Sequence, residues 1–176
     1  MSGQAVDAFR APSFSITSAN KWAFEVLAEL GFVFDCSVFP STHEFGGIPS
    51  FKPSPTLIET PKGAIKEFPV NLGRALGRDV VFTGGGYFRV FPYYKLRKLM
   101  SKTDYTMSYF HPSDFDPGQP NMPQLPLMRQ FKNRIGLKGA YEKFCRYISD
   151  YDFIDIHTAD SVIDWAQVSV VKLEDL

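Results

Sequence analysis

Along residues 13–31 (SFSITSANKWAFEVLAELG), the apolar positions Trp22, Ala23, Val26, Leu27 and Leu30 recur at helical spacing. Thr17 or Ser18 caps the start of this helix, and Gly31 stands where a C′ glycine ends one. Phe32–Phe39 (FVFDCSVF) follows at once, an apolar run of strand formers that stops at Pro40. A helix leading into a buried strand is the alternation of an α/β fold, and it also fits one unit of a barrel.

The pattern then breaks. Residues 40–56 hold four prolines and two glycines and read as a long loop, a length that usually carries function. Leu57–Thr60 and Ala64–Val70 flank Pro61-Lys62-Gly63 as the arms of a hairpin. Asp79–Thr83 precedes Gly84-Gly85-Gly86, which reads as a bulge or tight strand entry. The triplet lacks the GxGxxG and GxxxxGK[ST] patterns of a phosphate cradle. Pro92 opens a helix through about Met100. Thr106–Phe110 alternates as a strand, and Pro112–Pro126, with five prolines, is a second long loop. In 138–151 a second amphipathic helix puts Ala140, Tyr141, Phe144, Tyr147, Ile148 and Tyr151 on one face. Phe153–Ile156 reads as a short strand, Ser161–Trp165 as a helical turn and Gln167–Leu173 as a last strand.

Composition narrows the function. The 176 residues carry 19 Lys+Arg against 19 Asp+Glu, so the basic excess of a nucleic-acid or anionic-membrane binder is missing. The chain's 17 Phe and 8 Tyr fit either aromatic-lined clefts or a Phe-rich core. Two distant cysteines, Cys36 and Cys145, make neither a disulfide framework nor a cysteine zinc site and read as reduced, partly buried thiols. No apolar run reaches the ~20 residues of a membrane span, and no signal peptide is visible, which gives a cytoplasmic expectation.

Reactive side chains of α/β folds sit at the carboxyl ends of strands. Three segments match: Phe9-Arg10-Ala11-Pro12, Asp35–Pro40 and Tyr109-Phe110-His111-Pro112. His111 is either an acid–base group or a loop histidine with a structural hydrogen bond. Arg10 either clamps a buried carboxylate or lies on the surface. His43, in the Pro/Gly loop, is a candidate cleft residue, and His157 reads as structural. The three histidines form no recognisable ligand set.

The segments FRAPSFSIT, WAFEVLAELGFVFDCSVFP, HEFGGIP, GGGYFRVFPY and YFHPSDFDPGQP, in that order from about Gly3 to Phe153, resemble the NodB-like polysaccharide deacetylases, in the branch tied to exopolysaccharide loci. The resemblance implies a distorted (β/α) barrel. It also implies metal-dependent removal of acetyl groups from an N-acetylated polysaccharide, with a divalent metal, usually zinc, held by an Asp and two His. A second Asp serves that family as base, a late-strand histidine as acid, and an arginine orients the base. Carried over, Arg10 and Pro12 match the arginine motif and His111 the general acid. Asp35, Ser37 and Phe39 match the segment that walls the cleft and binds substrate, and Tyr87 matches the GGGYFR segment.

The family's aspartate pair and H-x-x-x-H motif lie ahead of its arginine motif, and only nine residues precede Arg10 here. The expectation is therefore a single domain over 1–176, the carboxyl-terminal portion of a deacetylase. Its fold would be α/β, an incomplete barrel lacking its first strands, with long Pro/Gly-rich loops. Metal is expected in the complete enzyme and none in this chain alone, which is expected to be inactive by itself. The expected partners are an N-acetylated polysaccharide and the missing amino-terminal segment. The alternative is a non-catalytic carbohydrate-binding or assembly partner.

Overall fold

The computed structural model describes every residue except Met1, Ser2, Gln4, His43 and Leu76. The expectation for His43 lies outside the described residues. In chain order the elements are β1 (Ala8–Phe9), α1 (Trp22–Glu29), β2 (Phe34–Asp35), β3 (Thr56–Thr60), β4 (Gly63–Glu67), β5 (Gly73–Ala75) and β6 (Arg78–Val80). There follow α2 (Gly85–Val90), α3 (Tyr93–Met100), α4 (Leu127–Arg134), α5 (Ala140–Asp150), α6 (Ile156–Val162) and β7 (Ser169–Lys172). The chain forms two compact units, one from Met1–Leu72 with Ile156–Leu176, the other from Gly73–Asp155.

The first unit is built on a five-stranded sheet of order β1-β2-β4-β3-β7. Strands β1, β2 and β4 run parallel, β3 returns antiparallel through the expected hairpin, and β7 runs parallel to β3. The α/β reading holds; the described strands show an open sheet and no closed barrel. Alternation assigns the two faces. Ile58 and Ile65 meet Phe24 and Leu27 of α1 in one apolar core. On the other face, Phe34 and Phe68 lie against α6 and its following turn: His157 stands edge-on to Phe34, and Trp165 edge-on to Phe68. Lys66, half-buried on that face, reaches Asp160 of α6 and lies over the rings of Phe34 and Trp165. Helix α1 starts later than the sequence puts it: the Thr17–Asn20 capping box closes a separate 3-10 turn over Ser18–Asn20, α1 begins at Trp22 with no side-chain cap, and Gly31 takes φ +84° just past its end. The apolar stripe Trp22, Val26 and Leu30 is exposed; the buried face is Phe24 and Leu27.

The second unit packs α2, α3 and α5 with the β5–β6 hairpin around Val80, Phe82, Phe88, Phe91, Leu96, Leu99 and Tyr147. Its aromatics form the Phe-rich core: Phe110 meets Phe88 at 4.9 Å and Phe144 at 5.1 Å between ring centres.

Several expected elements change. Gly84-Gly85-Gly86 is no bulge; Gly84 caps α2, and Gly85 and Gly86 begin it. Gly84 does permit close approach, since a Cβ there would stand 2.6 Å from the Tyr109 ring. Thr106–Phe110 is not a strand but touches Gly84 by one bridge at Tyr109. Phe153–Ile156 forms no strand, because Ile156 already begins α6. The strand in Phe32–Phe39 shrinks to two residues. Cys36 is a buried free thiol and Cys145 a half-buried one. No helix among the described residues is long and apolar enough to cross a membrane.

Candidate functional site

Strands β1, β2 and β4 end side by side. Phe9 pairs in register with Asp35, and Asp35 with Glu67, so both carboxyls occupy the last rung at the carboxyl ends of parallel strands. Here α/β folds present their chemistry. Arg10 follows β1 directly, and its Nε donates to the Cys36 carbonyl at 3.2 Å. Its guanidinium lies 5.6 Å from the centre of the Phe14 ring.

A chain of hydrogen bonds runs from the Arg10 loop into the sheet. The Ala11 N–H donates to Ser37 Oγ at 2.7 Å, and Ser37 Oγ donates to Asp35 Oδ2 at 2.8 Å. The Ser37 N–H meets Asp35 Oδ1 at 2.9 Å. Glu67 Oε1 accepts the Val38 N–H at 3.0 Å. Asp35, Ser37 and Glu67 are all fully out of solvent. No donor among the described residues reaches Glu67 Oε2.

Burial pushes the Asp35 carboxyl above the usual range, opposed by its hydrogen bonds to Glu67, to the Ser37 side chain and to the backbone of Ser37 and Cys36. Glu67 rises well above its ordinary value, first by burial, then through the charge of Asp35 and the hydrogen bond between them. Two buried carboxylates in contact cannot both ionise cheaply. The donors around Asp35 oppose the rise of its carboxyl, so Glu67 is the one raised the further from its ordinary range. The Cys36 thiol is pushed up to about 11, mainly by burial, so it is no nucleophile near neutrality.

The surrounding loops close tightly. Ser13 and Phe14 take φ of 55° and 51°, a left-handed bend unusual for residues with side chains. The segment of residues 46–49 docks on them: the Gly47 N–H reaches the Ile16 carbonyl at 2.8 Å and the Ile48 N–H the Phe39 carbonyl at 2.9 Å. A Cβ on Gly46 would fall 2.1 Å from the Phe14 carbonyl oxygen, so only glycine fits. Phe39 packs its ring 6.0 Å from that of Phe14, and Pro12 is exposed on the same turn. The first unit thus brings together Arg10, Pro12, Asp35, Ser37 and Phe39.

His111 and Tyr87 belong to the second unit. His111 is exposed, and its backbone N–H donates to Asp114 Oδ2 at 3.0 Å. Asp114 faces Arg89 Nε at 3.6 Å. Arg89, buried in α2, donates from Nη1 to the Asn133 carbonyl at 2.8 Å and from Nη2 to the Lys132 carbonyl at 3.0 Å, which caps the end of α4. Lys143 caps α2 in turn, with Nζ within 3.1 Å of the Phe88, Arg89 and Phe91 carbonyls. The GGGYFR segment is therefore a scaffold for the His111 loop, with Arg89 as its anchor; Tyr87 is half-exposed beside Phe91. His157 is structural, with Nε2 3.5 Å from Asp7.

Glu67 and Arg89 escape the sequence reading. Strand alternation from Ile65 would have placed Glu67 inward.

Among the described residues no three His, Cys, Asp or Glu side chains converge.

Sheet and strand-end row define an α/β protein with its candidate site at the carboxyl ends of parallel strands. Residues 36–160 match the family described as a domain of unknown function (DUF3473), and the chain belongs to that family. No curated protein and no solved structure matches the chain.

Proposed function

We propose that this chain forms the carboxyl-terminal wall of a NodB-type polysaccharide deacetylase that hydrolyses N-acetyl groups on a polysaccharide. The single observation that supports it most is the row Phe9–Asp35–Glu67 with Arg10 just beyond, which puts an arginine and a buried carboxyl pair at the carboxyl ends of neighbouring strands. The family adds weight, since DUF3473 is associated with deacetylases of this type. In this reading the open sheet of the first unit is part of a distorted (β/α) barrel.

Arg10 orients the base aspartate by charge-assisted hydrogen bonds. The Asp35–Ser37–Ala11 chain fixes the Arg10 loop. His111 donates the proton to the leaving amine. The aspartate pair and H-x-x-x-H motif of the family would hold the metal and supply the base, and a metal bound there would supply Lewis-acid polarisation of the amide carbonyl and a more acidic water.

The test joins this chain to such a segment and measures acetate released from N-acetylglucosamine oligomers with zinc present. Release by the joined protein and none by the chain alone is the expected result. Metal-dependent release by the 176-residue chain alone contradicts the reading, and so does glycan binding without release by the joined protein.

A further inference from the structure

The second unit contains a cleft of about 280 Å³ between β5 and α3. Four exposed cations line it: Arg74 from the hairpin and Lys95, Lys98 and Lys102 from α3 and its end. Its apolar lining is Ala75, Phe91 and Leu99. Among the described residues no carboxylate lines it; Asp79 is the cross-strand neighbour of Arg74 but forms no ion pair with it. Among the described residues none of the four cations has an ion-pair partner.

This clustering is unfavourable for folding alone. The chain's formal net charge is zero, so four unopposed cations are a local choice, not a general basic surface. The helix dipole favours a cation at the end of α3, which accounts for Lys98. It disfavours Lys95, in the first turn, and Lys95 and Lys98 repel at i, i+3. Arg74 is brought to the same cleft by close packing: a Cβ on Gly73 would stand 2.6 Å from the Phe82 ring and 3.1 Å from Leu99. The hairpin can lie this close to α3 only with glycine there.

We propose that this cleft binds an anionic sugar, a phosphate- or carboxylate-bearing saccharide unit, with the four cations on its charge and the Phe91–Leu99 floor under its ring. A concave seat with an apolar floor suits a compact ring; a bilayer or a nucleic-acid duplex needs a flatter or longer basic surface. The inference rests on the second unit alone and stands independently of the deacetylase reading.

The test is titration calorimetry of the full chain with glucose 6-phosphate and with galacturonate oligomers, against neutral maltose oligomers, which carry no acetamide for the proposed deacetylase site. Binding of either anion and none of the neutral sugar is expected, weakening as salt rises from 50 to 500 mM. Lys95→Gln and Lys98→Gln should each weaken it about three- to five-fold, and Lys98→Arg should retain it. These exposed substitutions leave the core intact, as unchanged circular dichroism would verify. Equal affinity for the neutral sugar, or no effect of either Gln variant, overturns the proposal. Binding only to phosphatidylserine vesicles or to duplex DNA overturns it too, as does no binding.

Discussion

Asp35 and Glu67 face each other in register on neighbouring parallel strands, both fully buried, and burial together with the charge of Asp35 raises the Glu67 carboxyl well above its ordinary value. Their fold therefore binds more protons than the unfolded chain once pH exceeds the ordinary glutamate value near 4.5. Linkage sets the sign: stability is full below that value and declines as pH rises toward the elevated pKa of Glu67. Glu67→Gln keeps the acceptor for the Val38 N–H and gives Asp35 a permanent N–H donor. Urea unfolding from pH 5 to 9 should show the wild type losing stability with pH while the Gln variant stays flatter and is the more stable at pH 9. Parallel curves for the two proteins would refute the raised Glu67 carboxyl.

Ser37 is the joint between the Arg10 loop and the sheet. Ser37→Ala removes the acceptor of the Ala11 N–H and a donor to Asp35, both buried, and should cost about 1–3 kcal/mol. Hydrogen exchange of the Ala11 amide should speed up more than that of amides in α1. Unchanged protection at Ala11 would show that the relay does not hold the loop.

Arg89 ties α4 and Asp114 together from inside α2. Arg89→Lys keeps the charge but loses the planar fork that bridges two carbonyls and a carboxylate. It should destabilise the protein by about 2–4 kcal/mol, because buried carbonyls and Asp114 lose their donors. Thermal unfolding checks this, and a loss below about 1 kcal/mol would remove Arg89 as the anchor.

Much of the scaffold is legible in the sequence wherever one side of an element is apolar. Helix α1 carries its closing glycine, the β3–β4 hairpin its turn, and α5 the Phe144, Tyr147 and Tyr151 part of its expected face, while Tyr141 and Ile148 stand exposed. Which face of α1 is buried was not legible, because Trp22, Val26 and Leu30 are as apolar as Phe24 and Leu27; only the sheet decides. Helix α2 was hidden by three glycines that read as breakers, and tertiary caps from Lys143 support it. Helix α4 has no buried residue, so periodicity had no stripe to follow. Of the site, the Arg10 and Asp35–Phe39 segments were found and do come together. Glu67 was lost because Lys66-Glu67 looks like a solvated strand end, although its in-register neighbour Asp35 was singled out on β2.

The most direct test of the account is acetate release by this chain joined to a segment bearing the aspartate pair and H-x-x-x-H motif, compared with its Arg10→Ala and His111→Ala variants. Both residues are exposed, so both variants should fold. The account predicts a rate loss of about 10²–10⁴-fold for His111→Ala and a comparable one for Arg10→Ala. Undiminished release by both variants would contradict it.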